Sequence, residues 1–393
     1  MEKVRLGDVF SFIRNGASIK QGLDDSGYPI TRIETISDRT VNREKMGYAG
    51  ITDVSKYDDY ILQDGDILMS HINSEKHLGK TAIYKKQDEE KIIHGMNLLC
   101  LRPEKSVILP EYAFYFLSSV AFLRQIPNIT KKSVNQASFT VTALKELSFA
   151  KCNIDEQKKI IDEFDKVTSL IDIRKMQLES LDEIVKARFV ELFGDPEKNT
   201  LCWREQPLSE HLNVIGGYAF KSEQFSEEGI PVLRIGNINA GFFKPVNLVY
   251  WEDDDALNRY KMYPGDLVMS LTGTVGKDDY GNVCILGNDY DVYYLNQRNA
   301  KLELQDTINK YYLSTLLKFE PIKKKLTCIS RGVRQANISN KDILNLSVPI
   351  PPIELQNQFA AFFEQTDKSK FEIKQSLEKL ELLKKALMQK YFG

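Results

Sequence analysis

Side chains that could form a catalytic or phosphate-binding loop are few in this chain of 393 residues. Such a loop needs Gly-x-x-x-x-Gly-Lys followed by Ser or Thr, so that backbone N–H groups can approach phosphate. Gly79-Lys80-Thr81 supplies the end of the motif, but Ser74 stands where the first glycine belongs. Gly276-Lys277 fails in the same way, with Leu271 at that position. We therefore expect no nucleotide hydrolysis.

Histidine and cysteine chemistry is equally poorly supported. No histidine has the spacing of a hydrolase triad or of metal ligands: His71, His77, His94 and His211. The five cysteines are scattered and form no C-x-x-C pair, which predicts reduced thiols in a cytoplasmic protein. We expect no metal site, no cofactor and no catalytic residue, so the chain by itself is not expected to be an enzyme.

Two stretches combine positive charge with an absence of Asp and Glu, although the formal net charge of the chain is only −2. They run from 112 to 145 and from 321 to 341. A phosphate-facing surface needs local positive potential, and Arg, Lys, Asn and Gln are the side chains that reach base edges. The stretches therefore predict nucleic-acid contacts, with a solvated basic loop as the alternative. The candidates within them are Lys131, Lys132, Gln136, Arg331, Arg334 and Gln335.

Further candidates lie outside these stretches. Arg32 and Arg234 each follow an apolar strand-like segment, where an ion pair with a carboxylate is the alternative role. Lys80 and Lys277 end two loops of unequal length, which run over 70–79 and 270–276. A shared scaffold with unequal loops is what two modules that recognise different sequences should show. Weaker candidates are Arg39, Arg43 and Lys221.

The segments that must position these side chains occur twice in the chain, as an internal repeat. An internal repeat with a period near 200 residues is too long for a solenoid, so each copy is a domain with an appendage. Five matches follow one another in the same order at offsets of 199 to 202: 27–33 with 229–235, 62–70 with 262–270, 134–137 with 333–336, Ile154 and Gln157 with Ile353 and Gln356, and 193–194 with 392–393.

Each copy ends in a stretch that predicts a long amphipathic helix. Residues 155–193 and 354–392 contain no Gly or Pro, and their apolar positions step by three and four. One such helix alone would expose its apolar stripe, so we expect the two to pair antiparallel and to relate the two halves by a pseudo-twofold axis. The residues expected at this seam, which we also expect to dock partners, are Phe164, Ile171, Leu178, Leu181, Val185, Phe363, Ile373, Leu377, Leu380 and Leu387.

The remainder of each copy, about 150 residues, mixes short apolar strands, turn signals and short helical stretches, which is typical of a compact α+β module. No apolar run approaches the ~20 residues of a membrane helix, and the N-terminal residues lack the apolar core of a signal peptide. We therefore expect no membrane association.

Over nearly its whole length the chain resembles the specificity subunits of type I restriction–modification enzymes. The resembling segments are 217–221 with 229–238, the Gly-Asp pairs at 65–66 and 265–266, residues 346–356, and Phe193-Gly194-Asp195-Pro196 with Trp203. The first copy departs from the second at 33–35 and 149–152, which blurs which of its residues touch DNA.

The resemblance implies an arrangement and a function. Target-recognition domains would span 1–152 and 195–352, and spacer helices 153–194 and 353–393. Each recognition domain would recognise one half of a bipartite double-stranded DNA target, and the paired helices would set the spacing. Two modification (methyltransferase) subunits and the ATP-dependent restriction subunits would supply the chemistry.

Three alternatives remain open. One is the recognition subunit of a related modification system with a different catalytic partner, which the neighbouring genes would reveal. The second is a stand-alone sequence-specific DNA-binding protein, although its near-neutral charge argues against this. The third is a pure assembly protein without a DNA role, which is favoured only if the acid-free stretches lie far from any concave surface.

Overall fold

The computed structural model of the chain describes residues 1–22, 26–36, 40–133, 136–277, 279–328 and 335–393. The chain divides into two compact units. The first unit contains Met1–Lys175 together with Gln375–Gly393, and the second contains Met176–Lys374. The first unit is therefore discontinuous in sequence, because the end of the chain completes it.

The first copy of the repeat has nine strands and five helices among its described residues. The strands are β1 Glu2–Arg5, β2 Phe10–Asn15, β3 Ile67–Ser70, β4 Ile72–Asn73, β5 Thr81–Ile83, β6 Leu98–Pro103, β7 Lys131–Lys132, β8 Ala137–Ser138 and β9 Ser148–Lys151. The helices are α1 Pro110–Leu117, α2 Val120–Leu123, α3 Ile126–Ile129, α4 Val141–Lys145 and α5 Ile154–Phe193.

The second copy has twelve strands and five helices among its described residues. The strands are β10 Glu205–Pro207, β11 Leu212–Gly216, β12 Ile230–Leu233, β13 Tyr250–Trp251, β14 Lys261–Met262, β15 Leu267–Ser270, β16 Thr272–Thr274, β17 Val283–Ile285, β18 Tyr293–Leu295, β19 Asn299–Leu304, β20 Gln335–Asn337 and β21 Ser347–Pro349. The helices are α6 Ile235–Ile238, α7 Lys310–Leu316, α8 Glu320–Thr327, α9 Asn340–Leu344 and α10 Ile353–Phe392.

Both copies are built on the same antiparallel sheet. Its order is β2-β6-β3-β5 in the first copy and β11-β19-β15-β17 in the second. Successive side chains of a strand point to opposite faces, and both faces are covered: Ile67 and Met69 join one apolar cluster, while Leu68 joins another. A second, two-stranded pairing also recurs, β1 with β9 and β10 with β21. This mixture of strands and helices confirms the predicted α+β class.

The Gly-Asp pairs close equivalent turns before the central strands. Gly65 and Gly265 have φ values of +90° and +89°, which favour glycine. The Asp66 carboxylate accepts hydrogen bonds from Arg102 at 2.7 Å, and Asp266 forms the corresponding ion pair with Lys301 at 2.7 Å. The motif therefore serves the scaffold.

The long helices begin and end as the sequence predicts, to within one residue. Each contains 40 residues, which corresponds to a length of ~60 Å. The Asn153 side chain caps the start of α5 by accepting a hydrogen bond from the Glu156 N–H at 2.9 Å. Gly194, with φ +78°, ends the helix in the left-handed conformation that is common after helices.

The two helices contact each other in antiparallel order. In the second unit, Asp182 pairs with Lys370, and Phe189 packs against Phe359 with ring centroids 5.4 Å apart. Residue numbers thus rise along one helix as they fall along the other. In the first unit, the Phe164 ring lies parallel to that of Phe392 at 6.0 Å. The predicted antiparallel pairing is confirmed.

The ten residues expected at the seam are all at least half-buried. Phe164, Ile171 and Val185 are buried, and the others are half-buried: Leu178, Leu181, Phe363, Ile373, Leu377, Leu380 and Leu387. Other apolar side chains of the same helices remain exposed: Leu170, Ile173, Met176, Ile184, Val190, Phe371, Leu382 and Leu383.

In the part of the chain that the structure describes, no helix is both long enough and apolar enough to span a membrane.

Candidate nucleic-acid interface

A repeated glycine turn positions one lysine in each unit. A Cβ atom at Gly16 would lie 2.0 Å from the Gly95 carbonyl oxygen, and one at Gly217 would lie 2.1 Å from that of Asn296. Only glycine permits this approach of two backbones. Four residues beyond each glycine stand Lys20 and Lys221, both exposed. Lys221 was a candidate from the sequence, whereas Lys20 was not.

The loops against which these glycines pack differ between the copies. The Ala17 N–H donates to His94 O at 2.8 Å, and the Tyr218 N–H donates to Leu295 O at 2.9 Å, so the two sites are equivalent. At this offset of 201, Met96-Asn97 in the first copy corresponds to Gln297-Arg298 in the second. Gln297 and Arg298 are both exposed. Arg and Gln are the side chains that make bidentate contacts with guanine and adenine.

The repeated arginines Arg32 and Arg234 occupy equivalent positions before a single helical turn. The Arg32 N–H donates to the Thr35 hydroxyl at 2.8 Å, and the Arg234 N–H to the Asn237 side-chain oxygen at 2.9 Å. Among the described residues neither guanidinium forms an ion pair with a carboxylate, so the carboxylate-pairing alternative finds no support there. The Arg234 side chain is exposed, while Arg32 is half-buried and its Nε donates to Gln21 at 2.7 Å.

Arg43 is engaged within the protein. Its guanidinium donates to both carboxylate oxygens of Glu90, at 2.9 and 2.6 Å, and to the Lys85 carbonyl at 2.9 Å. The hydrogen bond from Arg43 holds the pKa of Glu90 at about 2, well below its usual value. This bidentate pairing makes Arg43 the least available of the described candidates.

In the structure, the residues that end the loops after the central strands are not the equivalent pair that the sequence comparison indicated. The Gly79 N–H donates to Ser70 O at 2.9 Å, and the equivalent bond to Ser270 O comes from Gly281 at 2.8 Å, not from Gly276. Between these serines and glycines the loops therefore contain eight residues in the first copy and ten in the second. Their lengths are unequal, as predicted, but the longer loop is in the second copy.

This correction changes the position of two lysines. Lys80 corresponds to Asn282, because their carbonyls accept hydrogen bonds from the Ser70 and Ser270 N–H groups at 2.9 Å. Lys277 lies inside its loop, where it is exposed, and Lys80 is half-buried. The sequence comparison failed here because a Gly-Lys pair occurs in both loops at places that are not equivalent.

A basic hairpin packs beside this loop in the first unit. β7, which carries Lys131 and Lys132, pairs with β8, and β8 pairs with β4. Lys131, Lys132 and Gln136 are exposed, and the Lys132 ammonium lies 2.9 Å from the Glu75 carboxylate. In the second unit β20 pairs with β16 in the corresponding way, and the backbone of Gln335 lies opposite Thr274. Arg39, Arg331, Arg334 and the side chain of Gln335 lie outside the described residues.

Taken together, these groups can hold phosphate and base edges, and their chemistry is that of binding. Lysine and arginine supply charge to phosphate oxygens, while Gln and Arg side chains match the major-groove edges of bases. Among the described residues no group of three or more His, Cys, Asp or Glu side chains could hold a metal ion. The sequence carries only weak signals for the additional residues: the shared Gly-x-x-x-Lys spacing of 16–20 and 217–221, and the polar pair Gln297-Arg298.

A family model described as the type I restriction modification DNA specificity domain matches the chain twice, at residues 1–183 and 202–384. The chain belongs to the family of type I restriction enzyme specificity subunits. It is similar to the protein named as the specificity subunit of the MjaX type I restriction enzyme of Methanocaldococcus jannaschii, with 33% identity over 98% of this chain and 90% of that protein. The MjaVIII specificity subunit of the same organism is 26% identical over 98% of this chain and 91% of its own length.

Solved structures agree on the fold. The crystal structure of the S subunit of a type I restriction–modification system from M. genitalium aligns with a TM-score of 0.60 over 100% of this specificity subunit and 96% of that chain. Their sequence identity is 16%, so the likeness concerns the fold alone.

Proposed function

We propose that this specificity subunit recognises a bipartite double-stranded DNA target, with one half-site for each recognition module. The modules comprise 1–152 and 195–352, and the spacer helices 153–194 and 353–393. In this proposal the chain carries out no chemistry and acts in the cytoplasm. Two modification subunits supply adenine methylation, and restriction subunits supply ATP-driven translocation and cleavage.

The observation that carries the proposal is a common scaffold with different surface side chains. Both copies share the central sheet, the Gly16 and Gly217 turns and the lysine four residues later. At the edge beside those turns, Met96-Asn97 in one copy is replaced by Gln297-Arg298 in the other. Lysines that contact DNA phosphates position a protein on the duplex, whereas side chains that contact the bases determine which sequence is recognised. Two different half-sites require similar contacts to the DNA phosphates in both modules but different contacts to the bases.

The long helices support a role in spacing and assembly. Each spans ~60 Å, whereas one turn of DNA is ~34–36 Å, so helices of this length suffice to separate two half-sites along a duplex. The apolar side chains that remain exposed on them, among them Met176 at 56% and Leu382 at 63%, offer surface for modification subunits. Contiguous exposed apolar patches mark protein–protein contact sites, and Leu382 and Leu383 are adjacent exposed residues of α10.

The test is to map methylated adenine in cells that gain this gene together with a modification-subunit gene of the same system. We expect a new bipartite motif in the wild type. Replacing residues 1–152 by a module from another specificity subunit should change one half of the motif and leave the other half intact.

A finer version of the methylation-mapping test changes only two side chains. Gln297→Met with Arg298→Asn places the residues of the first copy at the equivalent edge of the second, and we expect it to relax one half-site. The matched control is Lys198→Gln in the turn after α5, an exposed residue outside this edge and outside both acid-free stretches. A wild type that yields no new methylation despite co-expression with modification subunits would contradict the proposal, and sequence-specific binding by the purified chain alone would then favour a stand-alone DNA-binding protein.

A further inference from the structure

In each module a fully buried polar side chain joins the segment that carries the repeated arginine to the loop whose residues differ between the copies. In the first module the Thr31 hydroxyl accepts a hydrogen bond from the Gly95 N–H at 2.9 Å. In the second the Asn299 Nδ2 group donates to the Leu233 carbonyl at 2.6 Å. We call these two contacts the bridging hydrogen bonds.

The bridging hydrogen bonds lie directly beyond the end of a parallel strand pairing. In the second module Leu233 pairs with Leu295, and these are the last residues of β12 and β18. The equivalent pairing in the first module joins Ile30 to Ile93. Beyond these residues the two segments leave the strand pairing, and the next link between them is made by a side chain.

In the second module the bridging hydrogen bond restrains two arginines relative to each other. Leu233 directly precedes Arg234, and Asn299 directly follows Arg298. Both arginines are exposed, and both are candidates for DNA contacts. A binding site requires its side chains to be held within about 0.5 Å of the productive geometry. The link between the two backbones therefore bears on which bases these arginines can reach.

In the first module the same arrangement uses different residues. Thr31 directly precedes Arg32, and Gly95 directly precedes the divergent pair Met96-Asn97. A Cβ atom at Gly95 would lie 2.3 Å from the Thr31 carbonyl oxygen, so only glycine permits this close approach. The approach brings the Gly95 N–H within reach of the hydroxyl.

The loop of the second module cannot approach in this way. Asn296 stands at the position of Gly95, at the offset of 201, and its Cβ atom would collide with the carbonyl of the neighbouring segment. A longer side chain is needed to span the gap, and Asn299 supplies it. Each module thus sets the distance between its arginine segment and its loop independently.

The Asn299 amide carries a cost in stability. Its Oδ1 atom is buried and has no partner among the described residues, and a buried acceptor without a partner destabilises the folded state. Leu98 occupies the equivalent place in the first copy, since it lies opposite Ser70 as Asn299 lies opposite Ser270. Leu98 is fully buried, so this sheet accepts an apolar side chain there. What the amide contributes is therefore the bridging hydrogen bond itself.

We propose that Thr31 and Asn299 are positioning residues for target recognition, each of which fixes the loop of its own module relative to the arginine segment. Neither side chain contacts DNA, because both are fully buried. They act through the exposed residues beside them. This role rests on the proposed function, because only a module that recognises DNA has bases to select.

The test repeats the methylation mapping with variants of the full chain, co-expressed with the modification-subunit gene. Thr31→Val removes the hydroxyl at nearly constant shape, whereas Thr31→Ser keeps it. Asn299→Leu introduces the residue of the first copy. The matched control is Asn213→Leu on β11, an exposed asparagine of the same sheet. Thermal unfolding of the purified variants measures their stability.

We expect Thr31→Val to lower discrimination within the half-site of the first module about tenfold. Discrimination is the ratio of methylation at the target to methylation at singly substituted sites. Asn299→Leu should have the same effect in the other half-site only. Thr31→Ser should restore discrimination, and Asn213→Leu should match the wild type. We expect the melting temperatures of all four variants to stay close to that of the wild type.

The two modules provide independent tests, so one misfolded variant leaves the other decisive. A motif left unchanged by a folded variant overturns the role of that residue, while the DNA-recognition function stands. Relaxation of both half-sites by one variant, an equal effect of Thr31→Ser, or loss of folding in both Thr31→Val and Asn299→Leu also overturns the proposal, because each assigns these groups to general stability. A wild type that produces no bipartite motif contradicts the proposed function itself.

Discussion

Gln157 and Gln356 occupy the same position, the fourth residue of α5 and of α10, and share two equivalent hydrogen bonds made by a side chain that is fully buried. Gln157 Nε2 also donates to the Val107 carbonyl at 3.1 Å. Gln157 Oε1 accepts from the Leu109 N–H, and Gln356 Oε1 accepts from the Asn309 N–H, both at 2.8 Å. Each Nε2 donates to a carbonyl five residues earlier in the chain, also at 2.8 Å. In each unit one amide therefore joins the first turn of a long helix to the recognition module.

Removal of either amide should destabilise its own unit. Gln157→Ala leaves the Leu109 N–H and two carbonyls without partners in a buried place, so we expect the free energy of unfolding of the first unit to fall by about 2–4 kcal/mol. Gln356→Ala should do the same in the second unit. Hydrogen exchange of α1 and α7, measured by mass spectrometry, separates the two effects.

Gln358→Ala is the matched control, because Gln358 is exposed on the same helix two residues further on. We expect a change within about 0.5 kcal/mol. An equal loss in Gln358→Ala and Gln356→Ala would mean that helix propensity, and not the buried amide, accounts for the effect.

The pH dependence of stability should be steeper in the first unit, which has two buried histidines, than in the second, which has one, His211, whose pKa burial also lowers. His71 and His94 are buried, and burial lowers the pKa of each imidazole to about 4. At the equivalent places the second unit has Leu271 and Leu295, both buried. Above the unfolded pKa of ~6.5 both histidines are neutral in the folded and unfolded chain, so stability is complete. As the pH falls from 6.5 towards 4, the unfolded chain binds protons first and stability is lost, by ~2–3 kcal/mol for each histidine.

The measurement is the stability of each unit between pH 7 and 4. Both tryptophans, Trp203 and Trp251, belong to the second unit, so their fluorescence reports on that unit, while hydrogen exchange of β3 and β6 reports on the first. His71→Leu with His94→Leu introduces the residues of the second copy and should flatten the pH profile of the first unit. An unchanged slope in that variant would assign the acid sensitivity to other groups.

The helix seam should depend strongly on Phe164. This side chain is fully buried and stacks on Tyr115, with ring centroids 4.6 Å apart. Phe164→Ala should cost the first unit about 3–5 kcal/mol in unfolding free energy. Ile173→Ala on the same helix, where the side chain is 40% exposed, should cost far less. Denaturant unfolding compares the two, and similar losses would contradict the assignment of Phe164 to the seam.

Binding and stability effects should separate among the basic residues. Lys20→Ala and Lys221→Ala should each weaken duplex binding and lower its salt slope by about one, without loss of stability. Arg43→Ala should instead reduce the stability of the first unit, because Glu90 loses its bidentate partner. Anisotropy titrations and thermal unfolding of the three variants decide this, and a stable Arg43→Ala protein with a reduced salt slope would place Arg43 at the interface.

Much of the scaffold was predictable from the sequence, because the internal repeat and the helical spacing of apolar residues each extend over many residues. The long helices were recognised from the spacing of residues such as Phe164 and Leu178, and the two copies from matches that share one offset. Functional residues were harder to find, because loops change length between the copies. The correspondence of Gly79 with Gly281 depends on a backbone hydrogen bond to a serine, which no residue pattern reveals.

Residues of the candidate site were missed for a related reason. Lys20 shares only a glycine and a spacing with Lys221, too little to detect before the backbone contacts of Gly16 and Gly217 are known. Gln297 and Arg298 lie outside the acid-free stretches and have no matching residues in the first copy. Divergence at an equivalent position is informative only once the equivalence has been established by structure.

The discontinuity of the first unit has a consequence during synthesis. Tyr391 donates a hydrogen bond to Glu163, 228 residues earlier, and Phe392 is buried in the core around Phe164. At ~5–20 residues per second, a ribosome needs roughly 10–45 s to cover that distance. During this interval Tyr112, Phe116 and Phe164 lack the Phe392 ring that packs against them in the finished fold, while all residues of the second unit have emerged before Phe392. The nascent first unit is therefore the part of the chain most exposed to chaperones and to misassembly.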